Sequence, residues 1–209
     1  MSSGLTISRP VGVFTIEQYL ALERAAAERH EYIDGEIIAM AGEKLPHGII
    51  STNLIGLFVA QLKGTPCFAV AKDTKVRSGL GVVPARNVSG MFSYPDILIV
   101  CGEPEYFDDF GDVIVNPSAI VEVLSPSTES FDRGEKFQRY RTWNATLNDY
   151  MLVSQTRPCI EHFRRLSDGT WNMREAVGLD ATVTIESIGC ELNLAEVYDR
   201  ITFADQAEA

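Results

Sequence analysis

Ser118-Ala119-Ile120-Val121-Glu122-Val123-Leu124 is the stretch on which the fold turns. It is apolar on both faces of an extended chain, and strands of that kind are covered on both faces. The reading is a central strand in a sheet with packed material on either side. Glu122 stands inside it. A carboxylate buried there is costly unless it is paired, hydrogen-bonded or bound to a cation. A buried Glu–Arg or Glu–Lys pair, or a strand end reaching solvent, would satisfy Glu122 as well as a metal.

Working outward, Tyr94-Pro95-Asp96-Ile97-Leu98-Ile99-Val100 reads as another short apolar strand. Pro95 fits a strand entry, where a missing N–H does no harm. Asp96 alone would be an ordinary strand-end carboxylate. With Glu122 on a neighbouring core strand it makes a pair of like charges, of which one would hold its proton. A divalent cation resolves that conflict, and an all-oxygen donor set favours a hard ion, Mg²⁺ or Mn²⁺. Downstream, a helix is predicted from about Ser130 to Trp143, with Lys136, Tyr140 and Trp143 on one face. An ammonium there can neutralise charge that builds on a phosphate, although most lysines simply sit in water.

The flanks supply further elements. Thr15 and Gln18 have capping-box spacing, and Phe14 and Tyr19 are placed as a hydrophobic staple, so a helix starts at about Ile16 and runs to about Ala27. Two short strands flank a turn at Asp34-Gly35. Ile50, Leu54, Leu57, Phe58 and Leu62 recur at helical spacing after Pro46, with Gly64 as the stop. Polar Ser, Thr, Asn and Gln interrupt that stretch, so it reads as an amphipathic helix and not a membrane span. Residues 67–79 read as one strand, 78–93 as a long loop and 102–112 as an acidic, turn-rich connection. Three strands follow the Lys136 helix, the last two joined at Asp168-Gly169, and Leu194–Ile201 reads as a short closing helix.

The predicted class is α/β, an α+β arrangement with a central mixed sheet flanked by helices. The expected organisation is a tail at 1–12, one domain over 13–201 and a tail at 202–209. The 209 residues, 45% hydrophobic and 22% charged, suit a single globular domain with a core. The N-terminus lacks the layout of a signal peptide. Cys67, Cys101, Cys159 and Cys190 form no patterned spacing and read as reduced, partly buried thiols of a cytoplasmic protein. His30, His47 and His162 show no zinc spacing, and no GxSxG elbow is present. The formal net charge of −11 opposes non-specific nucleic-acid binding. Local basic groups offset it: Arg133, Lys136, Arg139 and Arg141 in one segment, and Lys63, Lys72, Lys75 and Arg77 in another. These are equally a basic lip or two solvated surfaces.

Tyr94-Pro95-Asp96, then Glu122-Val123-Leu124, then Lys136 resembles the layout of the PD-(D/E)XK nuclease superfamily, with Leu124 where the parent pattern has lysine. The chain more closely resembles the Uma (Uma-two) family of predicted bacterial restriction endonucleases, from about Phe14 to Val153 and on towards Ile201. The resemblance is carried by Phe14–Tyr19, Glu31–Glu36, His47, Ile50, Ser51, Asn53 and Leu54, by Asp73, Val76 and Arg77, and most specifically by VEVLSPST at 121–128 followed by Asp132, Lys136 and Tyr140.

That resemblance implies a restriction-endonuclease-like core. It implies Asp96 and Glu122 as metal ligands, with the Val123 carbonyl as a further donor, and Lys136 as a catalytic lysine displaced onto the helix. Glu31 is the extra acidic residue and His47 a weaker candidate. The expected activity is Mg²⁺- or Mn²⁺-dependent hydrolysis of DNA phosphodiesters, with a homodimer suited to double-strand cutting and no membrane partner. Two rivals stand beside it: a non-catalytic assembly or regulatory protein of the same fold, and a metal-dependent phosphoesterase acting on a small substrate.

Overall fold

A computed structural model describes residues 13–40, 42–71, 73–79 and 88–203. The expected tail at 1–12 and much of the expected 78–93 loop lie outside the described residues.

The chain opens with α1 (Ile16–Ala25), capped as its sequence predicts: Gln18 N–H donates to the Thr15 hydroxyl and Thr15 N–H donates to Gln18 Oε1. β1 (His30–Ile33) and β2 (Glu36–Ala39) form the predicted hairpin, with Asp34 and Gly35 at positive φ, as its tight turn demands. α2 (Leu45–Leu62) follows. The run read as one strand is two, β3 (Cys67–Ala71) and β4 (Lys75–Ser78), which enter different sheets. Next come β5 (Met91–Ser93), β6 (Ile97–Cys101), β7 (Val113–Ile114) and β8 (Ala119–Val123). The third helical segment has three parts: α3 (Glu129–Phe131), a π turn (Asp132–Lys136) and α4 (Phe137–Trp143). β9 (Asp149–Val153), β10 (Cys159–Arg165) and β11 (Trp171–Val177) match the three expected strands. β12 (Thr182–Ile185) and β13 (Cys190–Asn193) precede the short closing helix α5 (Leu194–Val197).

The central sheet has the order β11-β10-β9-β8-β6-β3, mixed because β8 and β9 run parallel and their neighbours antiparallel. A five-stranded sheet, β2-β1-β5-β4-β7, stands beside it, and β12-β13 pair alone. The alternation of β8 sorts the core. Ala119, Val121 and Val123 join Ile50, Leu54 and Phe58 of α2 on one side, whereas Ile120 and Leu124 join Phe137, Tyr140 and Tyr150 on the other. Glu122 shares parity with Ile120 and Leu124, and its side chain therefore meets the π turn and not α2.

α2 is long and apolar enough to cross a membrane by composition. Its stripe of Ile50, Leu54, Phe58 and Leu62 is buried in the core, and the Asn53 and Gln61 amides donate to carbonyls of Val197, Asp199 and Glu191. Those ties make it a core helix, as the sequence reading holds.

Four further readings are corrected. Met91–Ser93, read as the end of a long loop, is strand β5, paired with β1 and β4. Cys67 and Cys101 are joined in a disulfide, because antiparallel pairing of β3 and β6 sets them directly opposite; Cys159 and Cys190 are free and buried. Trp143 does not share the buried face of Lys136 and Tyr140: the stripe continues to Asn144, which is buried, and leaves Trp143 42% exposed. Phe203, assigned to the C-terminal tail, is buried against Tyr198.

Candidate active site

β6 and β8 pair antiparallel with Ile97 opposite Val121. Asp96 stands just before that ladder begins, at the entry of β6, and Glu122 one residue beyond Val121 in β8. The two carboxylates that the sequence singles out therefore lie near one another at one end of the central sheet. The Asp96 charge adds to the upward pressure on the Glu122 pKa.

Their tips have different partners. Asp96 Oδ2 accepts from Val123 N–H at 2.7 Å, and Oδ1 lies 2.8 Å from His47 Nε2. Glu122 points to Lys136, whose Nζ is 2.9 Å from Glu122 Oε1, 3.4 Å from Glu31 Oε1 and 3.4 Å from Asp132 Oδ1. Glu31 comes from β1 in the other sheet and also accepts from Tyr94 N–H at 3.3 Å. Lys136 is thus the junction between the sheets. Glu31, Glu122 and Lys136 are brought together around one ammonium, and Asp96 stands close by at the entry of β6. The Val123 N–H is engaged with Asp96, and the Val123 backbone is therefore at the site.

The π turn supplies a residue to which the sequence reading gave no role. π-Helical turns inserted in α-helices occur often at functional sites. This one turns both Asp132 and Lys136 inward, and Asp132 is 2% exposed. Its place four residues before Lys136, in the stretch carrying the family resemblance, was the available signal. The Tyr150 hydroxyl donates to the Asp132 carbonyl, and the Tyr140 hydroxyl is 2.8 Å from Ser93 Oγ, so packed aromatic rings hold the turn.

The electrostatics follow from burial and a charge imbalance. Burial pushes Glu122 well above the ordinary carboxylate range; the Lys136 charge opposes that shift, and Asp132 and Asp96 reinforce it. Asp132 is raised as well, again chiefly by burial. Burial alone would lower the Lys136 pKa, but Glu122 and Glu31 outweigh it and hold the ammonium firmly protonated. Glu122 Oε1 and Asp132 Oδ1 are buried without an aligned hydrogen-bond partner, despite lying close to Nζ. Fully ionised, three carboxylates around one ammonium leave two negative charges. A divalent cation beside Glu122 would offset that excess, and carboxylate oxygens are the donors a hard ion takes.

Among the described residues, the metal-capable groups of three are Glu43/His47/Asp96 and Cys159/Glu161/Glu175, each with donor atoms within 4.8 Å of one another. Asp96 belongs to the first, and Glu122 to neither, because it is turned to Lys136.

A model of the Uma2 family, described as "Putative restriction endonuclease", matches residues 16–195. The chain belongs to the Uma2 family. Two Synechocystis proteins are similar to this Uma2 chain along most of their length. "Uncharacterized protein slr1290" is 34% identical over 94% of this chain and 97% of its own, and "Uncharacterized protein sll1609" is 31% identical over 82% and 92%. A solved structure from Anabaena variabilis, described as a putative nuclease belonging to DUF820, has a TM-score of 0.69 at 15% identity, covering 90% of this chain and 99% of that one. At that identity the likeness speaks for fold. Family and fold together support a nuclease and the restriction-endonuclease-like core that the sequence implies.

Four of the cations read as either a basic lip or solvated surfaces are paired or buried. Arg133 is paired with Glu129 and Glu161, Arg139 with Asp34 and Glu135, and Lys75 with Asp112. Lys136 is buried. These cations are satisfied within the protein, which at these positions favours solvated, ion-paired element surfaces over a basic lip.

Proposed function

We propose that this protein is a divalent-cation-dependent endonuclease that hydrolyses DNA phosphodiester bonds. Family membership and fold support the class of activity. The observation that carries the finer reading is the buried Lys136 ammonium among Glu31, Glu122 and Asp132, with Asp96 close by at the entry of β6. Asp96, Glu122 and the Val123 carbonyl would hold Mg²⁺ or Mn²⁺. When bound, the ion supplies Lewis-acid polarisation of the phosphate and a lowered pKa for an attacking water.

The chain's own residues do the rest. Lys136 donates to the non-bridging phosphate oxygen as negative charge gathers there. Glu31, held by the Tyr94 N–H, orients water on the side of the smaller sheet. Val123 N–H fixes the Asp96 carboxylate. Asp132 and Tyr140 keep the Lys136 tip in place. A homodimer, acting in the cytoplasm, would present two such sites to a duplex.

A second reading has its own observation. Arg133 and Arg139 are ion-paired and the net charge is −11, which weakens the attraction for a long polyanion. That favours a phosphoesterase acting on a small diester.

One experiment separates them. Wild type, Asp96→Ala and Lys136→Ala are incubated with Mg²⁺ or Mn²⁺ and supercoiled, linear and single-stranded DNA, with bis(p-nitrophenyl) phosphate in parallel. Cleavage of DNA by wild type alone supports the endonuclease. Turnover of the small diester without DNA cleavage supports the second reading. Equal cleavage by all three proteins means a contaminant or a misplaced site.

A further inference from the structure

We propose that His47 is a positioning residue, a proton donor locked in one tautomer by Gln155, that fixes the Asp96 carboxylate for the ion. The inference rests on the reading of Asp96 as a ligand and extends it into the layer behind.

His47 Nε2 lies 2.8 Å from Asp96 Oδ1 and 3.1 Å from Glu43 Oε2, a cluster that by spacing alone would suit a metal. The other ring nitrogen decides between the two uses. Gln155 Nε2 sits 2.6 Å from the Leu124 carbonyl oxygen. The amide must present nitrogen to that oxygen, because its own oxygen there would face a second acceptor. The same Nε2 lies 3.3 Å from His47 Nδ1. An NH₂ group carries two protons; one goes to Leu124 and the other to Nδ1. His47 Nδ1 is then an acceptor, which puts the proton of a neutral ring on Nε2. A nitrogen holding that proton has no lone pair for a metal.

The geometry therefore assigns His47 to the carboxylate and not to the ion. Its N–H holds Asp96 Oδ1 while Val123 N–H holds Oδ2. Each oxygen keeps a lone pair for a cation. The relay has a structural origin. Parallel β8 and β9 end side by side, with Leu124 N–H donating to the Val153 carbonyl. That pairing delivers Gln155 beside Leu124, and the first turn of α2 delivers His47 above both. Gln155 carries no local sequence pattern that points to it.

The test has two arms. In the first, long-range ¹H–¹⁵N correlation spectra of chelator-treated protein report ring protonation at His30, His47 and His162; the His47→Gln spectrum identifies the His47 signals. Wild-type His47 is expected in the Nε2-protonated form, with and without Mg²⁺ or Zn²⁺, and Gln155→Met is expected to show mixed tautomers. An Nδ1-protonated wild-type ring, or loss of the Nε2 proton when either ion is added, overturns the proposal.

The second arm measures Mn²⁺ affinity by electron paramagnetic resonance. His47→Ala is expected to weaken binding by about 10–100-fold, the usual cost of losing a group that orients a ligand. His47→Gln, which keeps an N–H donor, is expected to recover most of it. Equal loss in both variants refutes the donor role. A wild-type protein that binds no Mn²⁺ would sink the metal reading of the active site, whereas the tautomer arm would still decide the role of His47.

Discussion

Replacing Lys136 with methionine tests the charge balance of the site without reference to any substrate. Methionine keeps much of the lysine stem's volume and loses the ammonium. Lys136 is 5% exposed, and its Nζ is the shared cation for Glu31, Glu122 and Asp132. Breaking a buried ion pair by removing one partner costs about 3–5 kcal/mol. At 2–4 °C per kcal/mol for a chain of this size, the melting temperature falls by roughly 6–20 °C.

The loss depends on pH in a defined direction. Glu122 and Asp132 already lie above the ordinary carboxylate range. Without the ammonium they rise further and take up protons more readily. Protonated carboxyls remove the repulsion, and the deficit therefore shrinks at low pH and grows as pH rises through their folded-state values. Thermal unfolding of Lys136→Met and wild type in chelator, at about pH 5 and about pH 8, reads this directly. A loss of under about 1 kcal/mol at the higher pH, the scale of an exposed pair, would refute the reasoning. So would a loss independent of pH, since a packing defect does not titrate.

Glu122→Gln is expected to raise the melting temperature of the chelator-treated protein at about pH 8, because it removes a desolvated charge among like charges; a lower melting temperature than wild type would contradict this. The same variant is expected to lose the rise in melting temperature that Mg²⁺ or Mn²⁺ gives the wild type, measured by scanning calorimetry. The raised carboxyls of Glu122 and Asp132 bind more protons folded than unfolded. Their contribution to stability is full below the ordinary carboxylate pKa and is lost as pH rises through the folded values; a wild-type-minus-Glu122→Gln stability difference that is flat with pH would oppose that. Tyr140→Phe removes the hydroxyl facing Ser93, 2.8 Å away, and should cost about 1 kcal/mol in urea unfolding. Thr15→Ala removes the cap of α1 at a similar cost of about 1 kcal/mol.

The parts of the fold that sequence made legible are those where one physical signal dominates. β8, β6 and β9 announce themselves as apolar runs, α1 by its capping box and the first hairpin by Asp34-Gly35. The failures have causes. β3 and β4 read as one strand because only Lys72, Asp73 and Thr74 separate them, and a short polar connector inside an alternating run leaves the period intact. β12 and β13 are short and expose alternate residues, so their pattern is faint. The Cys67–Cys101 bond depends on which strands pair, a tertiary fact. In the site, Asp96, Glu122, Lys136 and Glu31 could be named from residue type and family resemblance. The direction in which each carboxylate points could not. Glu122 turns to Lys136 because of strand parity and the π turn, and Asp96 turns to His47 because α2 begins above it. Gln155 and Asp132 act through geometry that only the assembled sheet provides.

Fold and site are a single constraint at the β6–β8 ladder. The register that sets Ile97 opposite Val121 also brings Asp96, at the entry of β6, to the Val123 N–H beside Glu122. A slip of one residue would exchange the two faces of the shifted strand. Were β8 the strand that moved, Glu122 would be driven into the layer formed with α2 by Ile50, Leu54 and Phe58, and Val121 or Val123 would be turned towards Lys136. A carboxylate among those side chains would have no cation to meet, and the ammonium would lose its nearest partner. Apolar burial disfavours the slip because Val121 and Val123 would leave their core, and electrostatics disfavours it because Glu122 and Lys136 would be separated. The acid that costs stability at this strand thus also helps fix its alignment. That is a physical reason for a charged residue to persist in a strand otherwise built for the core.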